Sequence, residues 1–231
     1  MSRISSLYVA LALVLAPTIG AAESMETLIA RCAPGVDVET LGAIVRAESS
    51  GHVFVLSDDG PRHLPWSRRK HMLRSIYPAT AEEAASEARR LIAAGHLVGI
   101  GLTQISSQHL PGLPVTIEQL LDPCTNLATG AGMLRTLYQK ARAMARYADP
   151  QHALGAAISA YNTGSFRDGF TNGYVHKVLA NMKAGIPKLH TRAMPTRGVQ
   201  STAAPSQLVA SAAPRAAHAA ARESSLDVVF Q

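Results

Sequence analysis

Residues 41–52, with the sequence LGAIVRAESSGH, decide how this chain folds. Val38, Leu41 and Val45 lie at helical spacing, and the same apolar stripe next reaches Glu48. A Ser-Ser-Gly sequence then ends the predicted helix. A carboxylate that ends an apolar stripe is partly withdrawn from water, which raises its pKa and suits it to act as an acid near neutral pH. The alternative is that the helix end frays and this carboxylate points into solvent, as most acidic side chains do.

The composition is typical of one globular domain in an exported protein. The chain has 231 residues, of which 47% are hydrophobic, enough for one good core and too few to argue for several domains. Residues 1–22 have the pattern of a signal peptide, with Arg3, an apolar run and a small-residue cleavage site before Glu23. The apolar run is shorter than the ~20 residues that span a bilayer. We therefore expect no transmembrane span in the mature protein, with an uncleaved anchor as the alternative.

The net charge of +6 suits a polyanionic partner such as cell wall, lipid head groups or nucleic acid. The cations are scattered apart from the cluster at residues 68–70, and Trp66 is the single Trp. Because no nucleic-acid reading module or aromatic platform accompanies them, we expect no nucleic-acid partner. The basic cluster is interpreted as a solvated face, with a glycan contact as the alternative.

The two cysteines, Cys32 and Cys124, indicate a disulfide if the compartment is oxidising. For a loop of this length the chain-entropy model gives roughly 4.5 kcal/mol as an upper figure. Zinc is less favoured, because neither cysteine has CxxC or CxxxH spacing. The chain also contains no Gly-rich phosphate loop and no GxSxG sequence. We expect no cofactor and no metal.

Most of the chain from residue 23 to residue 186 is predicted to be helical. Asp37, Thr80, Thr116 and Asp149 are candidate N-caps, and the longest helical pattern covers residues 126–147. A further helix is predicted to open at Asn172 and to end at Gly185, and another is predicted to stop at Pro123.

The predicted β structure is small and follows Glu48. Residues 52–56 are β-rich and precede the turn signal Asp58-Asp59-Gly60, whereas residues 61–78 are predicted to be an exposed loop. Residues 96–105 are predicted to form short strands or turns. Residues 187–231, rich in Ala, Ser and Pro, are predicted to be a disordered tail.

Four segments appear in an order that resembles a known family. They are Ala47-Glu48-Ser49, Gly101-Leu102-Thr103-Gln104-Ile105, Asn126-Leu127 with Gly130 and Leu134, and Ala160-Tyr161-Asn162-Thr163-Gly164. They resemble the motifs of lytic transglycosylases with a goose-type lysozyme-like (SLT) fold. Residues 122–124 and 173–179 look closest to the branch associated with type IV secretion and conjugation systems.

The resemblance implies a mainly α, lysozyme-like α+β domain at residues 23–186, with a small β element, followed by the disordered tail. It implies a periplasmic enzyme that cleaves the MurNAc-β-1,4-GlcNAc bond of peptidoglycan and leaves a 1,6-anhydro sugar. Glu48 would be the sole catalytic carboxylate. Ordinary glycosidases need two carboxylates, and besides Glu48 only Asp58 and Asp59 lie near a motif. Secretion or conjugation components would be partners, through residues 187–231.

The other motif residues receive supporting roles from the same resemblance. Gln104 and Asn162 would bind sugar, Ser49 would orient Glu48 or the substrate, and Tyr161 would place its hydroxyl near Glu48. The alternatives are a helix C-cap for Ser49, a core position for Tyr161 and a helix end for Asn162.

Two residues of the matched motifs would support the site rather than bind substrate. Gly101 would allow close backbone approach. Asn126 is either a helix cap or a support for the site.

Two positions depart from the family pattern. Ser50 stands where many relatives have Gly, and Thr103 stands where Met or Gly is usual.

A hydrolytic lysozyme and a non-catalytic wall-binding scaffold are the competing functions. The basic loop and the predicted tail are the features that favour a scaffold.

Overall fold

The computed structural model describes residues 23–191. The predicted signal peptide and residues 192–231 of the predicted tail lie outside the described residues. The elements in chain order are α1 Met25–Cys32, α2 Val38–Glu48, β1 Leu56–Pro61, α3 Trp66–Arg69, β2 Arg74–Ile76, α4 Ala81–Ala93, β3 His96–Ile100, β4 Ile105–Ser106, α5 Ile117–Leu120, α6 Pro123–Arg142, α7 Pro150–Thr163, α8 Asp168–Thr171 and α9 Tyr174–Lys183. Short 3₁₀ helices cover Ser107–Gly112 and Ala145–Tyr147. The predicted mainly helical α+β fold is confirmed.

Helix α2 is the centre of the fold and follows the pattern predicted for it. Asp37 caps its first turn by accepting a hydrogen bond from the Thr40 amide. Leu41 and Val45 are fully buried, and each such side chain contributes about 2 kcal/mol of burial free energy. The apolar stripe therefore fixes the helix in the core, and Glu48 is its last residue.

Besides a small cluster of Ala141, Ala153 and Ala156, residues 23–191 form two main apolar cores. The larger one lies among helices α1, α2, α6, α7 and α9, and we call this part the helical half. The smaller one lies between the sheet and helices α4 and α5, and we call this part the sheet half.

The sheet has four antiparallel strands in the order β2-β1-β3-β4. The strand predicted at residues 52–56 is wrong in position, because β1 begins only at Leu56. Val53 and Val55 are buried in the connection that precedes the strand. The predicted turn at residues 58–60 is also wrong. These residues lie within β1 at a shift of register between Asp58 and Pro61, where Gly60 has a φ of +76°, as in a β-bulge.

Two further boundaries differ from the sequence predictions. The loop predicted at residues 61–78 contains α3 and β2. Helix α6 begins at Pro123, which was predicted to end the helix before it. A proline suits the first turn of a helix because its missing N–H is not needed there, and Asp122 caps this turn.

The disulfide between Cys32 and Cys124 is present, as predicted. It joins the end of α1 to the beginning of α6 and so lies within the helical half. Within residues 23–191, no helix is both long and apolar enough to cross a membrane.

A short segment after α9, residues 186–190, packs back against the end of α2, and we call it the strap. The side chain of Ile186 lies over Gly42. The His190 amide donates to the Gly51 carbonyl at 2.8 Å, and the His190 carbonyl accepts from the Val53 amide at 3.0 Å. The domain end predicted at residue 186 therefore falls inside a packed segment.

Candidate active site

An open groove of about 1650 Å³ runs between the helical half and the sheet half. Glu48 lines it from the end of α2, and residues of β1, of the 66–77 segment and of α7 line its sides. Of the predicted site residues, the structure brings Glu48, Ser49, Gln104, Tyr161 and Asn162 to this groove. Gly101 and Asn126 lie behind its wall.

Glu48 is partly buried and has a high pKa for a carboxyl group. Burial raises its pKa to about 7, against the opposing effects of a hydrogen bond from Tyr174 and the positive charge of Lys177. The negative charge of Asp59 adds to the increase. An acid with a pKa near 7 is well suited to donate a proton at neutral pH.

Helix α9 holds the end of α2 through three side chains on one face. The Tyr174 hydroxyl donates to Glu48 Oε1, Lys177 Nζ donates to the Ala47 carbonyl at 2.7 Å, and Asn181 Nδ2 donates to the Ala43 carbonyl at 3.2 Å. Burial, followed by the charge of Glu48, raises the pKa of Tyr174 well above its ordinary value. Tyr174 therefore remains a donor to the carboxylate at neutral pH.

Sequence reasoning missed the role of Tyr174. The signal available in the sequence was the resemblance of the 173–179 segment, which contains Tyr174, to one branch of the family. Tyr174 lies 126 residues from Glu48 in the chain, so no local spacing connects the two.

Asn126 is a buried hub that joins the two halves. Its Oδ1 accepts from the amide of Thr103 at 2.8 Å and from the hydroxyl of Thr103 at 2.7 Å. Its Nδ2 donates to the carbonyls of Ile100 at 2.9 Å and Leu120 at 2.8 Å. The helix-cap alternative for Asn126 is wrong, because Asp122 caps α6.

Gly101 and Gly130 make room for this hub. A Cβ on Gly101, which has a φ of +75°, would lie 2.3 Å from Asn126 Nδ2, and one on Gly130 would lie 2.5 Å from Thr103 Oγ1. Any larger residue would displace the hub. Thr103 is fully buried, so this departure from the family pattern turns inward and does not line the groove.

Tyr161 and Gln104 line the groove with most of their polar atoms already engaged. The Tyr161 hydroxyl donates to the Thr103 carbonyl at 2.9 Å. Burial, and then the charge of Glu48, raises its pKa. Tyr161 thus lies in the field of Glu48, but the hydroxyl that donates to Glu48 is that of Tyr174. Gln104 Nε2 donates to the carbonyls of Val55 and Gly101, and its sugar-binding role stays a prediction.

Ser49 and Asn162 stay predictions as substrate-binding residues. The Ser49 hydroxyl donates to the Val45 carbonyl and accepts from the Gly51 amide, both at 3.1 Å, which is the geometry of a helix end. Asn162 is exposed, and its Oδ1 accepts from Asn172 Nδ2 at 3.3 Å.

Two further carboxylates lie on β1, and only one of them faces the groove. Asp58 is buried, with Arg74 Nη2 at 2.5 Å and His96 Nδ1 at 2.7 Å from its oxygens. Asp59, the next residue, lines the groove with Glu48. Burial raises the pKa of Asp59, although Ser57 and Arg69 oppose this. A second carboxylate is therefore present in the groove wall, on a strand rather than on a loop.

The residues arranged around Glu48 belong to a region that matches a known family. Residues 27–182 match the model of the transglycosylase SLT domain. The chain belongs to the SLT transglycosylase domain family. All the residues placed in the groove above lie inside the matched SLT region. No group of three or more His, Cys, Asp or Glu side chains in the described SLT domain could hold a metal ion.

Curated relatives of the SLT domain carry names from type IV secretion. The protein virB1 of Rhizobium radiobacter is 33% identical over 160 residues, which is 69% of this chain and 61% of the relative. The protein virB1 of Agrobacterium fabrum is 34% identical over 162 residues, or 70% of this chain and 60% of the relative. The type IV secretion system protein virB1 of Brucella abortus is 33% identical over 159 residues, 67% of this chain and 62% of the relative. The match thus spans about three fifths of these relatives. No solved structure matches the chain.

Proposed function

We propose that this chain is a peptidoglycan lytic transglycosylase and that Glu48 is its single acid and base. The observation that supports this most directly is the raised pKa of Glu48, about 7, in the lining of an open groove of about 1650 Å³. The groove has the size for several sugar units. The family membership supplies the reaction class.

In the proposed reaction, Glu48 donates its proton to the glycosidic oxygen as the bond from that oxygen to C1 of N-acetylmuramic acid breaks. The C6 hydroxyl of the same sugar attacks C1, and its proton passes to the Glu48 carboxylate. The acid is regenerated, no water is consumed, and the product is a 1,6-anhydro sugar. Tyr174 and Lys177 would stabilise the anionic form of Glu48 between the two proton transfers.

A hydrolytic lysozyme acting on the same bond is the second candidate, and Asp59 is the observation in its favour. A second carboxylate in the groove could activate a water molecule, as in ordinary glycosidases. Family membership favours the transglycosylase.

The mass of the products separates these candidates. Peptidoglycan sacculi digested with the purified protein should release anhydro-muropeptides, as read by mass spectrometry. Products one water heavier, with reducing ends, would identify a hydrolase. Glycan pull-down by an intact protein that releases nothing would identify the non-catalytic scaffold.

We further propose that the enzyme acts in the periplasm, where it opens the wall locally for a type IV secretion or conjugation machine. The names of the virB1 relatives support the machine, and the disulfide suits an oxidising compartment. The predicted signal peptide at residues 1–22 would provide export, and the segment after residue 191 would contact the machine. Deleting the gene for this protein should reduce substrate transfer by that machine, and complementation with Glu48→Gln should fail to restore it.

A further inference from the structure

One rim of the groove, residues 66–77, carries an unusual combination of exposed side chains. Four of the large hydrophobic side chains that remain exposed in residues 23–191 lie here: Trp66, Met72, Leu73 and Tyr77, with exposed fractions of 42 to 57%. Three of them, Trp66, Leu73 and Tyr77, line the same groove as Glu48. Burying such surface against a ligand is favourable, and aromatic rings suit the apolar faces of sugars.

The rim is held in place by the fold. Arg69 Nε donates to the Leu64 carbonyl at 3.1 Å, and its Nη1 donates to the Asp59 carbonyl at 3.2 Å. The same guanidinium lies 5.5 Å from the centre of the Trp66 ring. At the other end, the Tyr77 ring packs edge-on against His52, with ring centres 5.1 Å apart. The aromatic surface is therefore preformed, which lowers the entropic cost of binding a ligand.

The charge of the rim has one sign. The sequence from residue 60 to residue 81 contains five Arg or Lys residues and no Asp or Glu. Arg74 is paired with Asp58 and Arg69 is bonded to backbone, whereas Arg68 and Lys70 are exposed. No ion pair involves either of these two side chains within the described residues. Two available cations thus lie just outside an aromatic groove wall.

On the basis of the proposed function, we infer that this rim binds the peptide-bearing part of the glycan strand. Trp66 and Tyr77 contact the sugar, and Arg68 and Lys70 bind carboxylates of the stem peptide that projects from it. Carboxylates are the groups that Arg and Lys bind through charge-assisted hydrogen bonds. The enzyme therefore prefers glycan strands that still carry their stem peptides over strands from which an amidase has removed them.

An anionic lipid surface would also attract aromatic and basic side chains. The geometry favours the glycan, because three of the apolar side chains line a concave groove shared with Glu48, whereas a bilayer presents a flat surface. Lipid binding is an outcome of the test below.

Binding can be measured with the native reporter, because Trp66 is the only Trp in the chain. Trp66 fluorescence of the full-length Glu48→Gln variant is titrated with glycan strands that carry stem peptides and with the same strands after amidase treatment. We expect about fivefold tighter binding of the stem-bearing strands at low ionic strength, and a smaller difference in high salt. The added change Arg68→Ala/Lys70→Ala should abolish the difference. The matched change Lys140→Ala/Lys183→Ala, which removes two exposed cations that do not line the groove, should preserve it.

Equal affinity for both strands, or a preference that survives the rim substitution, would overturn the inference. A stronger fluorescence response to anionic vesicles than to strands would also overturn it and would assign the rim to lipid. Cleavage by the unsubstituted enzyme, followed on the same two strands, separates this inference from the proposed function. If the enzyme cleaves both strands and binds them equally, only the inferred role of the rim is refuted. If it binds the stem-bearing strands more tightly but cleaves neither, only the proposed enzymatic function is refuted.

Discussion

Glu48 and Asp58 are two carboxylates withdrawn from water in different halves of the molecule, and their pKa values move in opposite directions. At the end of α2, burial dominates and raises the pKa of Glu48 to about 7. On β1, burial alone would raise the pKa of Asp58, but hydrogen bonds from Arg74, His96 and the Gly60 amide outweigh it and lower the pKa. The number and charge of the donors decides the result, since both side chains are shielded.

The opposite pKa shifts of Glu48 and Asp58 reflect the different hydrogen-bond donors that the two halves supply. The helical half gives its acid one neutral donor, Tyr174, and a cation that bonds the neighbouring carbonyl, so the acid can hold or release a proton. The sheet half gives Asp58 a guanidinium, an imidazole and an amide, so the carboxylate stays ionised and structural. The proposed acid, Glu48, is thus the carboxyl group with the fewer donors of the two, and Asp58 is the one with the more.

The largest effect that we expect is from Glu48→Gln, which removes the acid and should lower cleavage of sacculi by about 10³-fold. Helical circular dichroism should not change. Because the raised pKa means that the native state binds the proton more tightly, wild-type stability decreases as pH rises from 4.5 through about 7.

Glu48→Gln lacks this titrating group, so its stability should not fall in the same way. The melting temperature of the variant minus that of the wild type should therefore increase between pH 4.5 and about 7. Substantial residual cleavage by the variant would remove Glu48 from its proposed role.

The second effect is from Asp58→Asn, which should destabilise the fold by about 2 kcal/mol, a figure discounted for the exposure of Arg74. A lowered pKa contributes stability that is complete above the ordinary Asp pKa of 3.8 and is lost as pH falls through the lowered value. The difference in melting temperature from wild type should thus be full at pH 6 and should shrink below pH 3.8. Asp59→Asn is the control, and a destabilisation as large as that of Asp58→Asn would contradict the comparison.

The third effect is from Tyr174→Phe, which removes the one side-chain donor to Glu48 among residues 23–191. Losing a hydrogen bond of about 1 kcal/mol should slow cleavage about fivefold near pH 6. The pH above which activity falls should move upward, because the lost bond had lowered the pKa of Glu48. Tyr161→Phe is the matched control, since the Tyr161 hydroxyl donates to the Thr103 carbonyl and not to Glu48. The activity of this variant should fall above the same pH as that of the wild type.

The smallest effect is from Ser50→Gly, next to the end of α2. Ser50 has a φ of +53°, a left-handed conformation that disfavours residues with a Cβ by about 1 kcal/mol. Glycine should therefore raise the free energy of unfolding by up to about that amount in urea titrations. Ser50→Ala tests the hydroxyl alone and should give no gain. A gain from both variants would mean that the hydroxyl, and not the backbone, is unfavourable.

The sequence allowed correct predictions for features that depend on residues close together in the chain. The stripe through Leu41 and Val45 predicted α2, and its continuation to position 48 predicted a partly buried acid. The same local reasoning failed at residues 58–60, because Asp-Asp-Gly suits a β-bulge as well as a turn and the choice depends on the partner strand.

Contacts between distant parts of the chain could not be predicted in this way. Tyr174 reaches Glu48 only because α9 packs along α2, and the hub role of Asn126 depends on Thr103 and Leu120 lying beside it. Asparagine suits both a helix cap and a buried hydrogen-bonding hub. Only the packing of the two halves shows which of these roles Asn126 has.

The strap has a mechanical consequence for anything joined to the chain after residue 191. Its hydrogen bonds end on Gly51 and Val53, three to five residues beyond the acid, and a Cβ on Gly51 would lie 2.0 Å from the Lys188 carbonyl oxygen. A load applied to the C-terminal segment would be transmitted first to this junction and not to the bulk of the domain. The point of attachment and the end of α2 are thus a single joint.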